Sequence, residues 1–322
     1  MHNIVIGRNE SDRKKFGEAG TILLGKHYIR MGQTTSLSNN IYLDIARAHV
    51  VFICGKRGGG KSYTMGVIAE GLSDLPEEIA QNISIILLDT MGIYWTMKYP
   101  NKKDELLLDQ WNIKPHGLDV QIYTPFGYFD KYQKEGIPTD QAFSIPTKEM
   151  SAADWCLSFN VEQVSPVGVV IQRAVDALLD TEKPFEIDDI IRTIQGLERC
   201  DEHVRDAGIN FFTNAKSWGL FTKEGTPLSM LAKGGQVTVL DVSCYATMPN
   251  GWAIKSLVVG LSSQKLFNER MKERKEEEHE QIHSAMYYFS DDSGASKQEY
   301  PLVWLVIDEA HEFLPNQGTT TA

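Results

Sequence analysis

Glycine, lysine and serine residues stand at a fixed spacing directly after an apolar run near the start of the chain. Gly55, Gly60, Lys61 and Ser62 fit the pattern G-x-x-x-x-G-K-S, and residues 49–54 before them read His-Val-Val-Phe-Ile-Cys. That apolar run predicts a buried β-strand. A strand that breaks into a glycine loop and then a helix gathers backbone N–H groups and the positive end of a helix dipole around one small volume. The pattern therefore predicts a loop that binds a triphosphate.

The residue types within this loop have separate roles. Glycines let the backbone close on phosphate oxygens without a Cβ in the way. Lys61 supplies a mobile charge for the β- and γ-phosphates, and the Ser62 hydroxyl is a hard oxygen ligand for Mg²⁺. For Lys56 and Arg57, contact with phosphate, with a neighbouring subunit or with water alone all remain open. The predicted nucleotide-binding residues are Gly55, Gly58, Gly59, Gly60, Lys61, Ser62 and Tyr63.

Two adjacent acids late in the chain could complete such a site. Asp308 and Glu309 follow the apolar run at residues 302–307, which predicts a buried parallel strand. We expect Asp308 to hold Mg²⁺ and Glu309 to accept a proton from the water that attacks the γ-phosphate, which makes Glu309 and Lys61 the predicted catalytic residues. The alternative is that the acidic pair caps a helix over residues 310–314 and does no chemistry.

Three segments together resemble the HerA/FtsK superfamily of archaeal and bacterial DNA-pumping ATPases, and HerA most closely. They are the glycine loop preceded by Ala48 and His49, the segment from Leu88 to Tyr94 with Asp89 and Gly92, and the segment from Asp308 to Pro315, which begins Asp-Glu-Ala-His. The resemblance extends from about Ile41 to the end of the chain. The glycine loop and the acidic pair occur in many ATPases, whereas their combination with the Asp89 segment is more specific.

This resemblance implies a fold and a mode of action. The fold is α/β, a RecA-like (ASCE) P-loop NTPase with a mostly parallel central sheet, in which an additional strand separates the phosphate-loop strand from the Asp-Glu strand. The assembly is a hexameric ring around double-stranded DNA, and the partner is a NurA-type nuclease in DNA end processing. HerA proteins continue beyond the Asp-Glu strand with a strand that carries a polar sensor residue, so the resemblance implies a chain that is C-terminally incomplete.

The chain divides into two predicted regions. Residues 1–48 carry short β-type runs between glycine and asparagine turns, which predicts a small β appendage similar to a reduced form of the family's barrel. Residues 49–322 are the predicted RecA-like ATPase domain, with a helical insertion at about residues 151–220 that serves either packing or partner docking. Within the domain we expect strands at residues 83–89, 120–124 and 236–242, and a loop over residues 125–150.

Other segments allow more than one interpretation. Asp89 ends the predicted strand at residues 83–89, where it could orient water, contact a neighbouring subunit or cap the strand. A helix is expected from about Trp252, and the mixed-charge run at residues 269–279 that follows is interpreted as its solvated end. Residues 290–296 are expected to form a flexible connector.

Composition bounds the location and the binding partners. The chain has 322 residues and four cysteines without a Cys-x-x-Cys pair, which favours reduced thiols over zinc ligands. No apolar run approaches the roughly 18 residues that cross a bilayer, and no signal peptide is evident, so we expect a cytoplasmic protein without a membrane partner. The net charge of −11 opposes a broad DNA-binding face but allows a local basic channel, with residues 98–103 and 131–134 as candidates unless they are solvated loops.

The favoured hypothesis is a motor subunit of a homo-oligomer, in which ATP hydrolysis drives a DNA translocase or helicase-type activity. One alternative is a nucleotide-binding assembly module that hydrolyses little ATP. Another is a motor of the conjugation or secretion type. Stimulation of ATP hydrolysis by DNA separates the first hypothesis from the second.

Overall fold

Strands alternate with helices along most of the chain, as in α/β proteins. The structure is a computed structural model that describes residues 3–31, 34–249, 251–286 and 301–313. Its strands are β1 (Ile4–Ile6), β2 (Thr21–Met31), β3 (Thr34–Asp44), β4 (Ile83–Asp89), β5 (Val120–Pro125), β6 (Gln141–Phe143), β7 (Ile145–Pro146), β8 (Phe221–Thr222), β9 (Val237–Asp241) and β10 (Leu302–Ile307). Its α-helices are α1 (Glu10–Phe16), α2 (Lys61–Ser73), α3 (Glu77–Ala80), α4 (Glu105–Gln110), α5 (Phe126–Glu135), α6 (Ala152–Ser158), α7 (Pro166–Leu179), α8 (Ile187–Gln195), α9 (Glu202–Ser217), α10 (Leu228–Leu231) and α11 (Gly251–Met286).

A parallel five-stranded sheet forms the centre of the fold, in the order β10-β4-β9-β5-β6. Every residue of β4 is buried, because helices or the N-terminal region cover both faces of the sheet. The strands predicted at residues 83–89, 120–124 and 236–242 are confirmed as β4, β5 and β9. The expected α/β fold of the RecA-like P-loop type, with a mostly parallel central sheet, is confirmed with them.

The two faces of the sheet contribute to different apolar clusters. Ile86 and Leu88 of β4 belong to the larger cluster with α6 to α9 and α11, whereas Ile85 and Leu87 belong to the cluster that contains residues of α2. This division follows from the alternation of side chains along a strand. The ends of the strands are therefore fixed between two packed layers, and so are the polar residues that follow them.

The strand predicted at residues 49–54 does not form. This segment is irregular, with Val50 fully exposed and Phe52 80% exposed. β10 pairs with β4 in parallel, as expected for an internal strand, but among the described residues it has no second neighbour and lies at the sheet edge with Leu302 57% exposed. The parallel strand expected at residues 302–307 is thus confirmed, but it is a partly exposed edge strand and not a buried one. The strand expected at residues 49–54 was wrong, because an apolar run forms a ladder only where a neighbouring strand supplies the hydrogen-bond partners.

The region from residue 151 to 220 is helical, as predicted. α6, α7, α8 and α9 fall within it, and Trp155 of α6 is fully buried among aromatic rings. The Trp155 ring centroid lies 5.0 Å from that of Phe212 and 4.8 Å from that of Phe221. Aromatic contacts of this kind are typical of a packed core. The structure thus shows packing in this region, and partner docking stays a prediction.

The loop predicted over residues 125–150 was wrong, because α5, β6 and β7 lie there. α5 begins directly after Pro125 and is followed by the C-cap residue Gly136, whose φ is +71°. A proline at the start and a glycine with positive φ at the end are ordinary helix boundaries. The apolar periodicity was weak because Tyr132 is the one buried residue of this helix.

The N-terminal residues form a separate three-stranded sheet in the order β1-β3-β2, together with α1. Residues 21–31 form the single strand β2, whose register with β3 is irregular near Gly25. Asp44 at the end of β3 is fully buried and accepts hydrogen bonds from Arg8 and from the Ala46 amide, and the His49 ring Nε2 lies 3.0 Å from its Oδ2. Burial favours the neutral acid, but the bonds from Arg8 and His49 outweigh it and lower the pKa of Asp44. This network ties the small sheet to the segment that leads into the glycine loop.

α11 is longer than expected, because it continues through the charged run that was interpreted as its end. Its first half is buried around Leu257 and Val258. Among the described residues no helix is both long and apolar enough to span a membrane. The connector predicted at residues 290–296 lies outside the described residues.

Candidate active site

The glycine loop ends at the first turn of α2. Gly58 and Gly60 adopt φ angles of +75° and +83°. Residues with a Cβ rarely adopt positive φ angles, which explains the glycines here. The Gly59 amide donates to the Lys56 carbonyl over 3.0 Å and closes the turn. Gly60 precedes the helix and offers no side chain to cap it. The first amides of α2 thus have no side-chain cap, which is the arrangement that binds phosphate.

The two halves of the predicted site meet in the structure. The Ser62 hydroxyl donates a hydrogen bond to Oδ2 of Asp308, with an Oγ–Oδ2 distance of 3.3 Å. Asp308 follows β10, whose last residue Ile307 is in register with Leu88 of β4. It is 2% exposed. Parallel pairing therefore carries this carboxylate to the start of α2 although the two residues are 246 positions apart.

A cavity of about 540 Å³ lies beside this contact, and we call it the β10 cavity. It is lined by residues 49–55, Lys61, Met65, Ile68 and residues 304–311. Lys61, Asp308 and Glu309 thus face one space, as the sequence predicted. The additional strand that the family resemblance places between the glycine loop and the Asp-Glu strand is not seen among the described residues. The cavity separates these two segments instead.

The oxygen atoms at this contact are suitable ligands for magnesium. The Ser62 hydroxyl and the Asp308 carboxylate are hard oxygen ligands, and they are already within hydrogen-bond distance of each other. A bound Mg²⁺ would supply positive charge next to the phosphates. Among the described residues, Lys61 is the one lysine or arginine that lines the β10 cavity.

Glu309 has an unusual backbone. Its φ of +51° lies in the left-handed region, which is uncommon for a residue other than glycine. Its amide donates to Oδ1 of Asp308 over 2.8 Å, and its side chain lies 3.2 Å from Nδ1 of His311. Strain of this kind is concentrated at functional sites. Glu309 lines the β10 cavity, as the predicted base must. A short 3-10 turn follows at Ala310–Glu312, where a helix was the alternative interpretation.

Asp89 organises the neighbouring turn. It is 1% exposed, and its two oxygens accept hydrogen bonds from four consecutive amides, those of Met91, Gly92, Ile93 and Tyr94, at 2.7–3.1 Å. Burial is the largest influence on this carboxyl and raises its pKa to about 6, although the amides act in the opposite direction. Of the roles left open by the sequence, the structure shows the cap at the strand end.

Two buried polar residues, Asp241 and Lys255, lie next to this turn in the interior of the fold. Asp241 ends β9 in register with Asp89, and burial raises the pKa of Asp241. Lys255 of α11 is buried and donates to the Thr90 carbonyl over 3.1 Å. Three acids, Asp308, Asp89 and Asp241, therefore stand at the carboxyl ends of three adjacent strands. This is the edge at which parallel α/β sheets bind ligands.

Tyr94 is the site residue that the sequence interpretation did not single out. The turn that Asp89 caps places the Tyr94 hydroxyl beside Asp308, and the phenol oxygen lies 3.4 Å from Oδ2 of Asp308. The spacing Asp-x-x-Gly-x-Tyr could have identified Tyr94. An aspartate that caps a turn holds the backbone of the residue that ends the turn in a fixed position.

The structure separates some predicted residues from the contact. Tyr63, predicted to bind nucleotide, is 63% exposed and lines a different cavity of about 830 Å³ along the outer face of α2. We call this the α2 cavity. Ser62 and Tyr94 also line it, so it begins at the candidate site. Lys56 and Arg57 are exposed, and their roles stay open.

Comparison with known families agrees with this geometry. A family model described as "Helicase HerA, central domain" matches residues 29–248. The match includes the glycine loop and the Asp89 turn, begins before residue 41 and ends before β10. A search of curated proteins found no match. Since the family model covers more than half of the 322 residues, the chain belongs to the family of the HerA helicase central domain, a group of HerA/FtsK-type P-loop ATPases.

Proposed function

We propose that this chain is the subunit of an ATP-driven motor that translocates double-stranded DNA. The family supports an ATPase motor in general. The observation that carries the proposal is the contact between Ser62 at the start of α2 and Asp308 at the end of β10. It joins a phosphate-binding loop to a metal-binding carboxylate in one space, which is the arrangement for cleavage of a phosphoanhydride bond.

Each residue has a defined task in this proposal. The amides at the start of α2 and the Lys61 ammonium bind the triphosphate, while Ser62 and Asp308 hold Mg²⁺. Glu309 accepts the proton of the attacking water. Charge in the transition state exceeds what these groups neutralise, so we expect an arginine from a neighbouring subunit of a ring to assist.

Two substitutions test the catalytic assignment. Lys61→Ala should lose nucleotide binding, because it removes the positive charge that contacts the phosphates. Glu309→Gln should bind ATP with unchanged affinity and reduce the rate of hydrolysis by about 10²-fold or more. Binding of a fluorescent ATP analogue and phosphate release measure the two effects. Lys183→Ala, an exposed lysine of the helical region, is the matched control. Equal hydrolysis by wild type and Glu309→Gln would eliminate Glu309 as the base.

The DNA partner is inferred from the family and needs its own test. Of the candidate basic segments, Lys98 is paired with Asp140 at 2.6 Å, whereas Lys102 and Lys103 are exposed beside the α2 cavity. Double-stranded DNA should stimulate ATP hydrolysis at low salt, and the stimulation should fall steeply as salt rises. Sedimentation with and without ATP measures whether a hexamer forms. A NurA-type nuclease is the proposed partner in DNA end processing.

A second candidate is a nucleotide-dependent assembly module that hydrolyses little ATP. The contact between Glu309 and His311 favours it, since a carboxylate that is already held by a histidine is not directed at an attacking water. In that case wild type binds ATP without DNA-stimulated turnover, and His311→Ala raises the rate of hydrolysis. For the motor, His311→Ala leaves the DNA-stimulated rate unchanged.

A further inference from the structure

Three hydroxyl or amide donors converge on the Asp308 carboxylate. Oδ1 accepts from the Glu309 amide over 2.8 Å, and Oδ2 accepts from the hydroxyls of Ser62 and Tyr94 over 3.3 and 3.4 Å. Tyr94 is 3% exposed. Tyr94 therefore lies beside an acid of the candidate metal site. Binding of a triphosphate by the glycine loop does not by itself require a tyrosine there.

We propose that Tyr94 is a positioning residue that fixes the rotation of the Asp308 carboxylate so that this carboxylate and Ser62 can hold one metal ion together. This inference rests on the proposed function. Ser62 and Asp308 are the residues that would hold the metal, and a bound ion would draw on the oxygen atoms of both. Tyr94 is the side chain that donates to Oδ2 of Asp308 without being a predicted ligand itself, so it can hold the carboxylate whether or not metal is bound.

The phenol suits this role chemically. A tyrosine hydroxyl ordinarily keeps its proton at neutral pH, so it can donate to a carboxylate. Here the phenol oxygen lies 3.4 Å from Oδ2 of Asp308. A neutral donor of this kind orients the carboxylate without adding a competing anionic ligand for the metal.

The fold places Tyr94 through the turn that Asp89 caps. The Tyr94 amide donates to Oδ2 of Asp89 over 2.9 Å, so the residue begins its 3-10 turn at a fixed point beside β10. The ring packs within the apolar cluster that contains residues of α2. Tyr94→Phe keeps this packing and removes the hydroxyl alone, which separates the positioning role from the contribution of the ring to the core.

The experiment compares Tyr94→Phe with Tyr245→Phe. Tyr245 is a fully buried tyrosine in the other apolar cluster, and its hydroxyl donates to the Trp218 carbonyl over 2.8 Å. It controls for the loss of a buried hydroxyl as such. Binding of Mn²⁺ to the ADP complex is followed by electron paramagnetic resonance, and metal-free ADP binding is followed by a fluorescent analogue. Thermal unfolding establishes that both variants are folded.

We expect Tyr94→Phe to weaken Mn²⁺ binding about fivefold, which is the size of one lost hydrogen bond, and to leave metal-free ADP binding unchanged. Tyr245→Phe should change neither. Equal Mn²⁺ affinity in wild type and Tyr94→Phe would overturn the inference alone, and so would an equal loss of metal-free ADP binding. Wild type that binds ADP with no effect of Mn²⁺ would overturn the proposed function together with it.

Discussion

Replacement of Asp89 by asparagine gives a pH-dependent change in stability whose size follows from the structure. An asparagine side chain has one oxygen, whereas Asp89 uses two oxygens to accept from four amides. The variant is thus less stable at every pH, since the amide nitrogen of asparagine meets two N–H donors. The informative quantity is how this difference in the free energy of unfolding changes with pH.

Burial raises the pKa of Asp89 from 3.8 to about 6. Because the folded value exceeds the unfolded one, the folded chain binds an extra proton between these values. The resulting stability is fully present below pH 3.8 and is lost as pH rises through about 6. From these two pKa values, the proton contributes about 1 kcal/mol at pH 5 and almost nothing at pH 7.5.

Urea denaturation at pH 5 and at pH 7.5 measures the effect. The difference between wild type and Asp89→Asn in the free energy of unfolding should be larger at pH 5 by about 1 kcal/mol. Gly66→Ala, which adds no titratable group, should show the same difference from wild type at both pH values. A difference for Asp89→Asn that is constant, or that grows at pH 7.5, would refute the reasoning. It would mean that the four amides stabilise the charged carboxylate more than burial destabilises it.

Two further substitutions test the elements around the site. Gly92→Ala should destabilise by about 1–3 kcal/mol in thermal unfolding, because φ is +68° and a Cβ would lie 2.7 Å from the Ser243 hydroxyl; Gly66→Ala, in open space on α2, should be neutral or stabilising. Asp44→Asn should cost about 3 kcal/mol in urea denaturation, since it leaves the buried Arg8 guanidinium without its counter-charge. An unchanged midpoint in either case would contradict the corresponding contact.

The sequence alone determined the chemistry of the site. The phosphate-binding role of Gly58, Gly60 and Lys61 can be predicted from the sequence. A phosphate loop needs particular residue types at neighbouring positions, and that spacing is local. The parallel strands β4, β5 and β9 were readable for a similar reason, since a buried parallel strand is apolar along its whole length. α5 was missed because its apolar periodicity is weak.

Only the tertiary structure decided which distant residues meet. The contact of Ser62 with Asp308 depends on the pairing of β10 with β4, and the role of Tyr94 depends on a turn that Asp89 closes with backbone bonds. The apolar run at residues 49–54 is a case in which prediction from the sequence alone failed. Its composition is that of a strand, but a strand exists only where a neighbour accepts and donates its backbone hydrogen bonds. Local spacing fixes what a residue can do, and the assembly of the sheet fixes what it can reach.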